Sequence, residues 1–537
     1  MEADFVIIGA GSAGCVLAEA LSRSGRHSVI VLEAGGSDRR LWIQIPLGYG
    51  KTFYNKAVNW AYTTEPDPGL AGQKDYWPRG KVLGGSSAIN AMVYIRGQPQ
   101  DYDAWEAAGN PGWNWREALR IYKSIEDDQT GDPAFHGHGG PMPVTDVSGA
   151  LHPLCEAFVK AAQQAGLPFN PDLNAPDPTG VGHYRITTKG GRRASAARMF
   201  LRPAMRRQNV TVLTQAHATG LLFDGARASG VTIRHEGETK TVRARREVIL
   251  SAGAVNSPQL LMLSGIGEAA ALSALGITAR LNNPHVGRNM QDHVGINYTF
   301  KAKVPTLNQA LRPWWGKLIA GAQYIFGGAG PLAISLNQGG GFFRTDPSID
   351  RPNMQLYFQA LSTLKPAVGE RPLLTPDPFP GFSIGLSNCR PLTRGEISLR
   401  SSDPFEAPRI VANAYGAARD IDEMLDAVKF VRKIAAMPAL APLIEEELRP
   451  GPSVQSDEDL KADIRKRSGT VYHPSGTCRM GPDAAGSVVD ARLRVHGVPG
   501  LRVVDASVFP VIPSGNTNAP SLMVGARGAE LILEDHP

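Results

Sequence analysis

Two groups of residues in this chain have types and spacings suited to chemistry. The first is Gly9-Ala10-Gly11-Ser12-Ala13-Gly14, which follows the apolar run Phe5-Val6-Ile7-Ile8 and leads through a helical stretch to Val29-Ile30-Val31-Leu32-Glu33. That order serves capture of an ADP-containing dinucleotide. Gly9 permits the tight turn, Gly11 lets the backbone reach a pyrophosphate, and Gly14 allows the helix to pack closely on the strand. The helix N-terminus, with Ser12 and Ala13, then faces the phosphates. Glu33 lies 19 residues after Gly14, at the end of the second strand, where its carboxylate can accept hydrogen bonds from ribose hydroxyls and Ala34 follows it. NAD and FAD present the same ADP half and satisfy this motif equally. The second group centres on His473, preceded by Tyr472 in a Gly- and Pro-bounded loop rather than on a periodic apolar face. Imidazole titrates near neutrality, so this side chain is suited to taking a proton.

Elements elsewhere must position these groups. Beyond Glu33 a long polar and aromatic stretch runs through Trp42, Tyr49, Trp60 and Tyr62 to Trp77-Pro78-Arg79-Gly80, the texture of a functional loop or lid. Residues 80–92 then read as a glycine turn that starts a helix, with small residues that admit a flat group. Strand-like segments at 210–213, 247–251 and 501–506 complete a parallel sheet, so the nucleotide-binding domain is discontinuous. Between about 300 and 460 the pattern changes to alternating segments such as Ile397-Ser398-Leu399-Arg400 and a helical stretch over 421–437. The fold class is therefore α/β: a Rossmann-like domain over residues 1–155, 191–300 and 466–537, the last part carrying the reactive residues. A second, α+β domain on a mainly antiparallel sheet occupies 156–190 and 301–465.

Composition narrows the function classes. A chain of 537 residues exceeds one core, and 42% hydrophobic with 20% charged residues is ordinary for a soluble enzyme. The net charge of +6 is spread without a basic tract, which argues against a nucleic-acid partner. Cys15, Cys155, Cys389 and Cys478 lack CxxC spacing, and His136-Gly137-His138 reads as a turn, so neither disulfides nor a metal are expected. Trp105, Trp113 and Trp115 read as local packing. The first strand starts by residue 4, and no apolar run approaches the ~20 residues that cross a bilayer. The expectation is a cytoplasmic protein without a transmembrane segment, with peripheral membrane contact left open.

Five blocks in order along the whole chain carry a resemblance. They are residues 9–14, Arg79-Gly80-Lys81-Val82-Leu83-Gly84-Gly85-Ser86-Ser87, Gly253-Ala254-Val255-Asn256-Ser257-Pro258-Gln259-Leu260-Leu261, Val286-Gly287-Arg288-Asn289-Met290-Gln291-Asp292-His293, and residues 473–481. Together they resemble the glucose-methanol-choline (GMC) oxidoreductase family, in its bacterial choline, sorbose and alcohol dehydrogenase branch. The resemblance implies FAD as cofactor and oxidation of an alcohol to an aldehyde or ketone, by proton abstraction and hydride transfer to flavin N5. Electrons then pass to a quinone, dye or protein acceptor. An oxidase using O2 and releasing hydrogen peroxide, and a hydroxynitrile-type lyase, are the alternatives. By the family pattern Val82, Gly85, Asn90, Ala91, Met92, Val93 and Tyr472 lie beside the flavin and pyrophosphate, Ala218 beside adenine, and Asp505 with Ala506 by the ribityl chain. Some members tether FAD through a histidine at the position held here by Ile89, so non-covalent FAD is expected.

The same pattern makes Asn518 the second catalytic residue, donating its amide to the substrate oxygen beside His473. Asn516 is expected to support the loop or the flavin, and His293 and His496 to be structural. With ~15.7 for water as a stand-in for an alcohol and ~6.5 for histidine, full ground-state proton transfer costs roughly 12 kcal/mol. A hydrogen-bond donor to the alkoxide, and coupling of proton and hydride loss, must lower that cost. The pocket is expected to draw on Trp314, Trp315, Phe342, Phe343, Tyr357 and Phe358, most of them core. No aromatic cage with a carboxylate stands out between 300 and 390, so polyols, sugars such as sorbose and other small alcohols stand beside choline.

Overall fold

Strand Glu2–Ile8 runs between two parallel neighbours, Val29–Glu33 and the last part of Glu238–Leu250, which is why Phe5, Val6, Ile7 and Ile8 are all buried. The computed structural model, which describes residues 1–364 and 375–537, places this strand in a seven-stranded sheet. Val210–Thr214 pairs in parallel beyond Val29–Glu33. On the other side Glu238–Leu250 does two jobs. Its first half pairs antiparallel with Arg227–His235, which pairs in turn with His217–Asp224; its last residues pair in parallel with Leu501–Val503, Ile249 opposite Arg502. The chain thus returns to this sheet at its far end. Helices Ser12–Ser22 and Asn518–Asp535 pack on each other, closely enough that a Cβ at Gly525 would lie 2.8 Å from the Ala13 Cα.

A second sheet is antiparallel throughout, in the order Asn337–Phe343, Met354–Gln359, Gly381–Asn388, Val294–Ala302, Ile444–Arg449, with Gly469–Thr470 added beside Val294–Ala302. Its period-two alternation splits the residue types cleanly. Ile296, Tyr298, Phe300, Leu356, Phe358, Phe382 and Ile384 form one face, buried in a common core with helices Pro153–Gln164 and Ala418–Ala435. Asn297, Thr299, Tyr357, Gln359 and Ser383 lie on the other face, toward the nucleotide side. Strand Val294–Ala302 belongs to this sheet, so the divide expected at residue 300 cuts through a strand.

Two local readings change. Residues 80–92 make only a short 3₁₀ turn, Gly85–Ala88, because Gly84 and Gly85 take positive φ and Ile89 leaves the helical region. Glu396–Ser398 pairs with Arg409–Val411 apart from the main sheet. Helix Gly253–Leu263 contains Pro258, which cannot donate to the Ala254 carbonyl; the Thr477 hydroxyl donates to it instead, at 2.7 Å. The four cysteines are free and buried.

Candidate active site

A cavity of about 750 Å³ runs from the phosphate turn to the polar face of the second sheet. At one end Gly9 takes φ +103°, and a Cβ there would sit 2.3 Å from the Ser251 carbonyl oxygen, so only glycine makes this turn. Gly14 packs beneath the turn, where a Cβ would meet the Gly9 carbonyl at 2.0 Å. Gly11 is different. A Cβ on it would approach nothing closer than 3.7 Å, so its missing side chain leaves room on the cavity side rather than against protein. No side chain caps helix Ser12–Ser22, which leaves its first N–H groups for an anion.

Glu33 fits the same ligand. Its Oε2 accepts from Ala10 N at 3.0 Å and its Oε1 from Gly35 N at 2.8 Å, so each oxygen keeps a lone pair for a ribose hydroxyl. Burial pushes this carboxyl up to about 7, against the pull of the two amides and Lys81. Ala34, Gly85, Asn90, Ala91, Met92, Val93, Ala218, Tyr472, Asp505 and Ala506 also line the cavity. Val82 does not: its side chain is turned into a small apolar cluster with Ile43, Val58, Ala88 and Ile89. Met92 and Tyr472 hold φ of +64° and +73°, a conformation that costs a non-glycine residue ~1–3 kcal/mol. Both are pinned. Met92 N donates to Asn90 Oδ1 and its carbonyl accepts from Thr187 N, while Arg79 Nη2 donates to the Tyr472 carbonyl at 2.6 Å. The chain therefore offers an uncapped helix start, a carboxylate and an open glycine face, a donor set that fits FAD.

His473 stands at the other end. Asp292 Oδ1 accepts from its backbone N–H at 2.8 Å, and Thr470 Oγ1 donates to Asp292 Oδ2, so the loop is held through its main chain. Burial pushes the Asp292 carboxyl up to about 7 and the Arg79 guanidinium down to about 10.

The ring nitrogens of His473 can be assigned from their neighbours. His293 Nε2 lies 3.0 Å from the Cys389 carbonyl, which can only accept, so this nitrogen carries the hydrogen. Burial drives His293 down to about 4, so the ring is neutral and its Nδ1 is bare. His473 Nδ1, 3.0 Å away, must then be the donor, which leaves His473 Nε2 without a hydrogen. Asn516 Nδ2 lies 3.3 Å from that nitrogen. Its amide is oriented from behind: Gln355 Nε2 donates to Asn516 Oδ1 at 3.3 Å, and the Tyr357 hydroxyl donates to Gln355 Oε1 at 2.6 Å. Every link from Tyr357 to Cys389 is consistent in direction. Burial, with His293 and Arg79 close by, holds His473 well below the ordinary imidazole value.

The asparagines are thus placed contrary to expectation. Asn518 opens helix Asn518–Asp535, and its Oδ1 accepts from Ser12 Oγ at 2.8 Å, at the phosphate end of the cavity. The structure brings Asn516, not Asn518, to His473. Sequence reasoning took His293 as structural and gave no role to Asp292, Arg79 or Gln355. The adjacent Asp292 and His293 in a glycine-bounded block were a usable signal; Gln355 carried none. His496 contacts Ser487, away from the cavity. His136 is no simple turn residue: it is buried with Arg96, Glu126, Asp128 and Asp172 in an ionic cluster, although no metal-ligand cluster occurs among the described residues.

The substrate end has two walls. Asn297, Thr299, Asn337, Gln359 and Ser383 form a neutral polar one. Phe53, Tyr54 and Tyr76 from the stretch beyond Glu33, in mutual ring contact, form an aromatic one, joined by Tyr472 of the His473 loop edge-on to Phe53. Of the aromatics expected from the second domain, Tyr357 lines the cavity; Phe342, Phe343 and Phe358 are core, and Trp314 and Trp315 are exposed.

Comparison with known proteins finds relatives along the whole chain. Residues 3–295 and 391–525 match the N- and C-terminal domains described as GMC oxidoreductase. An alcohol dehydrogenase [acceptor] of Pseudomonas putida is 42% identical over 99% of this chain and 95% of its own length. An oxygen-dependent choline dehydrogenase of Sinorhizobium medicae is 40% identical over 100% and 96%. Among solved structures, pyridoxine 4-oxidase from Mesorbium loti superposes with a TM-score of 0.89 at 30% identity, covering 99% of this chain and 100% of that one.

Proposed function

The chain belongs to the GMC oxidoreductase family, and from that premise we propose that it oxidises an alcohol with His473 as proton acceptor and Asn516 as donor to the alcohol oxygen. FAD, when bound, supplies the hydride acceptor. The carrying observation is the hydrogen-bond chain that leaves His473 Nε2 bare at the cavity beside an amide N–H. An alcohol hydroxyl between these groups would give its proton to Nε2 while Asn516 donates to its oxygen. A lowered imidazole pKa widens the gap to the alcohol, so proton loss has to accompany hydride departure, and the fixed donor reduces what remains. The polar wall supports polyols and sugars as substrates, and the aromatic wall supports choline, which is bound through ring faces. The names of the relatives fit an alcohol in general and choline in particular. A quinone, dye or protein takes the electrons.

The test is anaerobic mixing of the FAD-loaded protein with a panel of sugars, polyols, simple alcohols and choline. Bleaching of the flavin is expected for at least one class. A flavin that stays oxidised while a cyanohydrin is cleaved would make the protein a lyase, and rapid peroxide formation in air would make it an oxidase.

Ile89 offers no nucleophile at the position of the family's tether, so acid or heat should release FAD into solution; flavin pelleting with the denatured protein contradicts this. Because His473 is depressed, its neutral form persists as pH falls past ~6.5, so alcohol-driven flavin reduction should hold its rate there and decline only at more acid pH. Removing His293 takes away the acceptor that selects the tautomer. His293→Leu should therefore slow reduction by about tenfold or more and move the acid limb upward, which a merely structural residue would not do. Stopped-flow reduction across pH measures both. An acid limb already near 6.5 in the unsubstituted protein overturns the assignment.

A further inference from the structure

Helix Trp314–Gly327 carries its apolar stripe outward. Its buried positions are Gly316 and Ala320, and a Cβ at Gly316 would lie 2.3 Å from the Ala310 carbonyl oxygen, so this is the face packed on the preceding helix Leu307–Leu311. Trp315, Leu318, Ile319, Ile325 and Phe326 follow the three- and four-residue spacing that normally marks the core side of a helix. Here they are 54, 63, 52, 75 and 89% exposed, and Trp314 beside them 73%. A contiguous apolar surface of this kind marks an interaction site.

Its surroundings say what kind. The hairpin Thr188–Lys189 with Arg192–Arg193 lies against the end of the helix, where a Cβ at Gly191 would be 2.4 Å from the Gly328 carbonyl oxygen. Lys189, Arg192 and Lys317 are exposed, and the field of Arg192 and Arg198 reaches the Tyr324 hydroxyl. Neither segment 178–223, which holds the hairpin, nor segment 293–345, which holds the helix, contains an Asp or Glu. The face is therefore apolar in the middle and cationic at its rim. A second copy docked through the same face would set like charges against each other. An anionic lipid surface complements both features, with tryptophan and tyrosine at headgroup depth.

We propose that helix Trp314–Gly327 docks the protein on an anionic bilayer, with Trp315, Leu318, Ile319, Ile325 and Phe326 in the acyl boundary and Lys189, Arg192 and Lys317 on the headgroups. At ~1.5 Å per residue the helix is ~21 Å long, shorter than the ~30 Å hydrocarbon core, so it lies in the interface and does not span it. Among the described residues no helix is long and apolar enough to cross. The chain leaving this helix ties the docked face to the cavity: Ser335 Oγ donates to the Ala91 carbonyl, and Leu336 and Asn337 are cavity wall.

Flotation of the purified full-length protein tests this, with vesicles of phosphatidylcholine and phosphatidylglycerol in equal parts beside vesicles of phosphatidylcholine alone. The mixed vesicles should carry the protein upward, less so at high salt, and the neutral ones far less. Ile325→Glu with Phe326→Glu should weaken that binding by roughly a hundredfold or more, with melting temperature and circular dichroism unchanged, because both side chains are already largely in water. Arg192→Ser and Lys317→Ser should each weaken it about fivefold. No flotation on either vesicle, or flotation indifferent to the double substitution, overturns the proposal. So does a concentration-dependent dimer, without lipid binding, that the double substitution abolishes; that outcome assigns the face to a second copy of the chain.

Discussion

Replacing His473 by alanine is expected to leave a folded, FAD-loaded protein whose flavin is reduced by alcohol roughly 10²- to 10⁴-fold more slowly, the usual contribution of a positioned base. The loop should survive because it is held through its backbone. Asp292 accepts from the residue's main-chain N–H, Arg79 donates to the Tyr472 carbonyl, and Ser475 exchanges main-chain hydrogen bonds with Gln291, none of which needs the imidazole. What disappears is Nε2, together with the donor that His293 Nδ1 accepts from. The second loss costs some local stability without touching the phosphate turn at the far end of the cavity. Anaerobic stopped-flow reduction gives the rate, and released FAD per polypeptide confirms loading. Added imidazole should restore part of the rate, since a small base can occupy the space the ring has left. If the substituted protein reduces its flavin at the original rate, His473 is not the base.

How much of this was legible in the sequence depended on how local the determinant was. The phosphate turn and Glu33 could be read because strand, glycines, helix and acid are consecutive, and each is required by backbone geometry that a short window contains. The polar and apolar faces of the second sheet could be read in kind, since alternation separates Ile296, Tyr298 and Phe300 from Asn297 and Thr299. Determinants that depend on distant partners could not. His293 meets His473 from 180 residues away, and nothing beside either residue announces the contact. Apolar spacing predicts that a helix has one greasy side, yet it does not say whether core or solvent receives it; Trp314 and Trp315 face outward because small Gly316 and Ala320 make the packed side. Residues 80–92 failed differently. Their small residues suit a helix start, but consecutive positive φ values at Gly84 and Gly85 divert the chain into a single 3₁₀ turn.

The sharpest of these cases is the pair of asparagines, and Asn516→Ala is expected to do far more damage than Asn518→Ala. Spacing within a loop cannot tell which carboxamide turns which way. Here the chain becomes helical at Asn518, so that residue projects toward Ser12 and the start of the first helix, while Asn516, still in the loop, projects toward His473. If Asn516 donates to the alcohol oxygen as charge develops there, its loss removes a transition-state interaction worth ~3 kcal/mol, a hundredfold or more in the reduction rate at saturating substrate, with a smaller effect on binding. Gln355 sharpens the test. It holds the Asn516 amide with its N–H toward His473, so Gln355→Leu should give an intermediate loss, whereas a passive Asn516 would leave the rate insensitive to Gln355. Asn518→Ala instead breaks the bond to Ser12 beside the phosphate turn. Its expected signature is weaker retention of FAD, with the reduction rate of the loaded fraction nearly unchanged. Stopped-flow reduction and FAD occupancy measured on the three variants separate the two roles. A hundredfold slower reduction in Asn518→Ala at full FAD occupancy, with Asn516→Ala unaffected, would place the oxygen donor at Asn518 and leave Asn516 a loop residue.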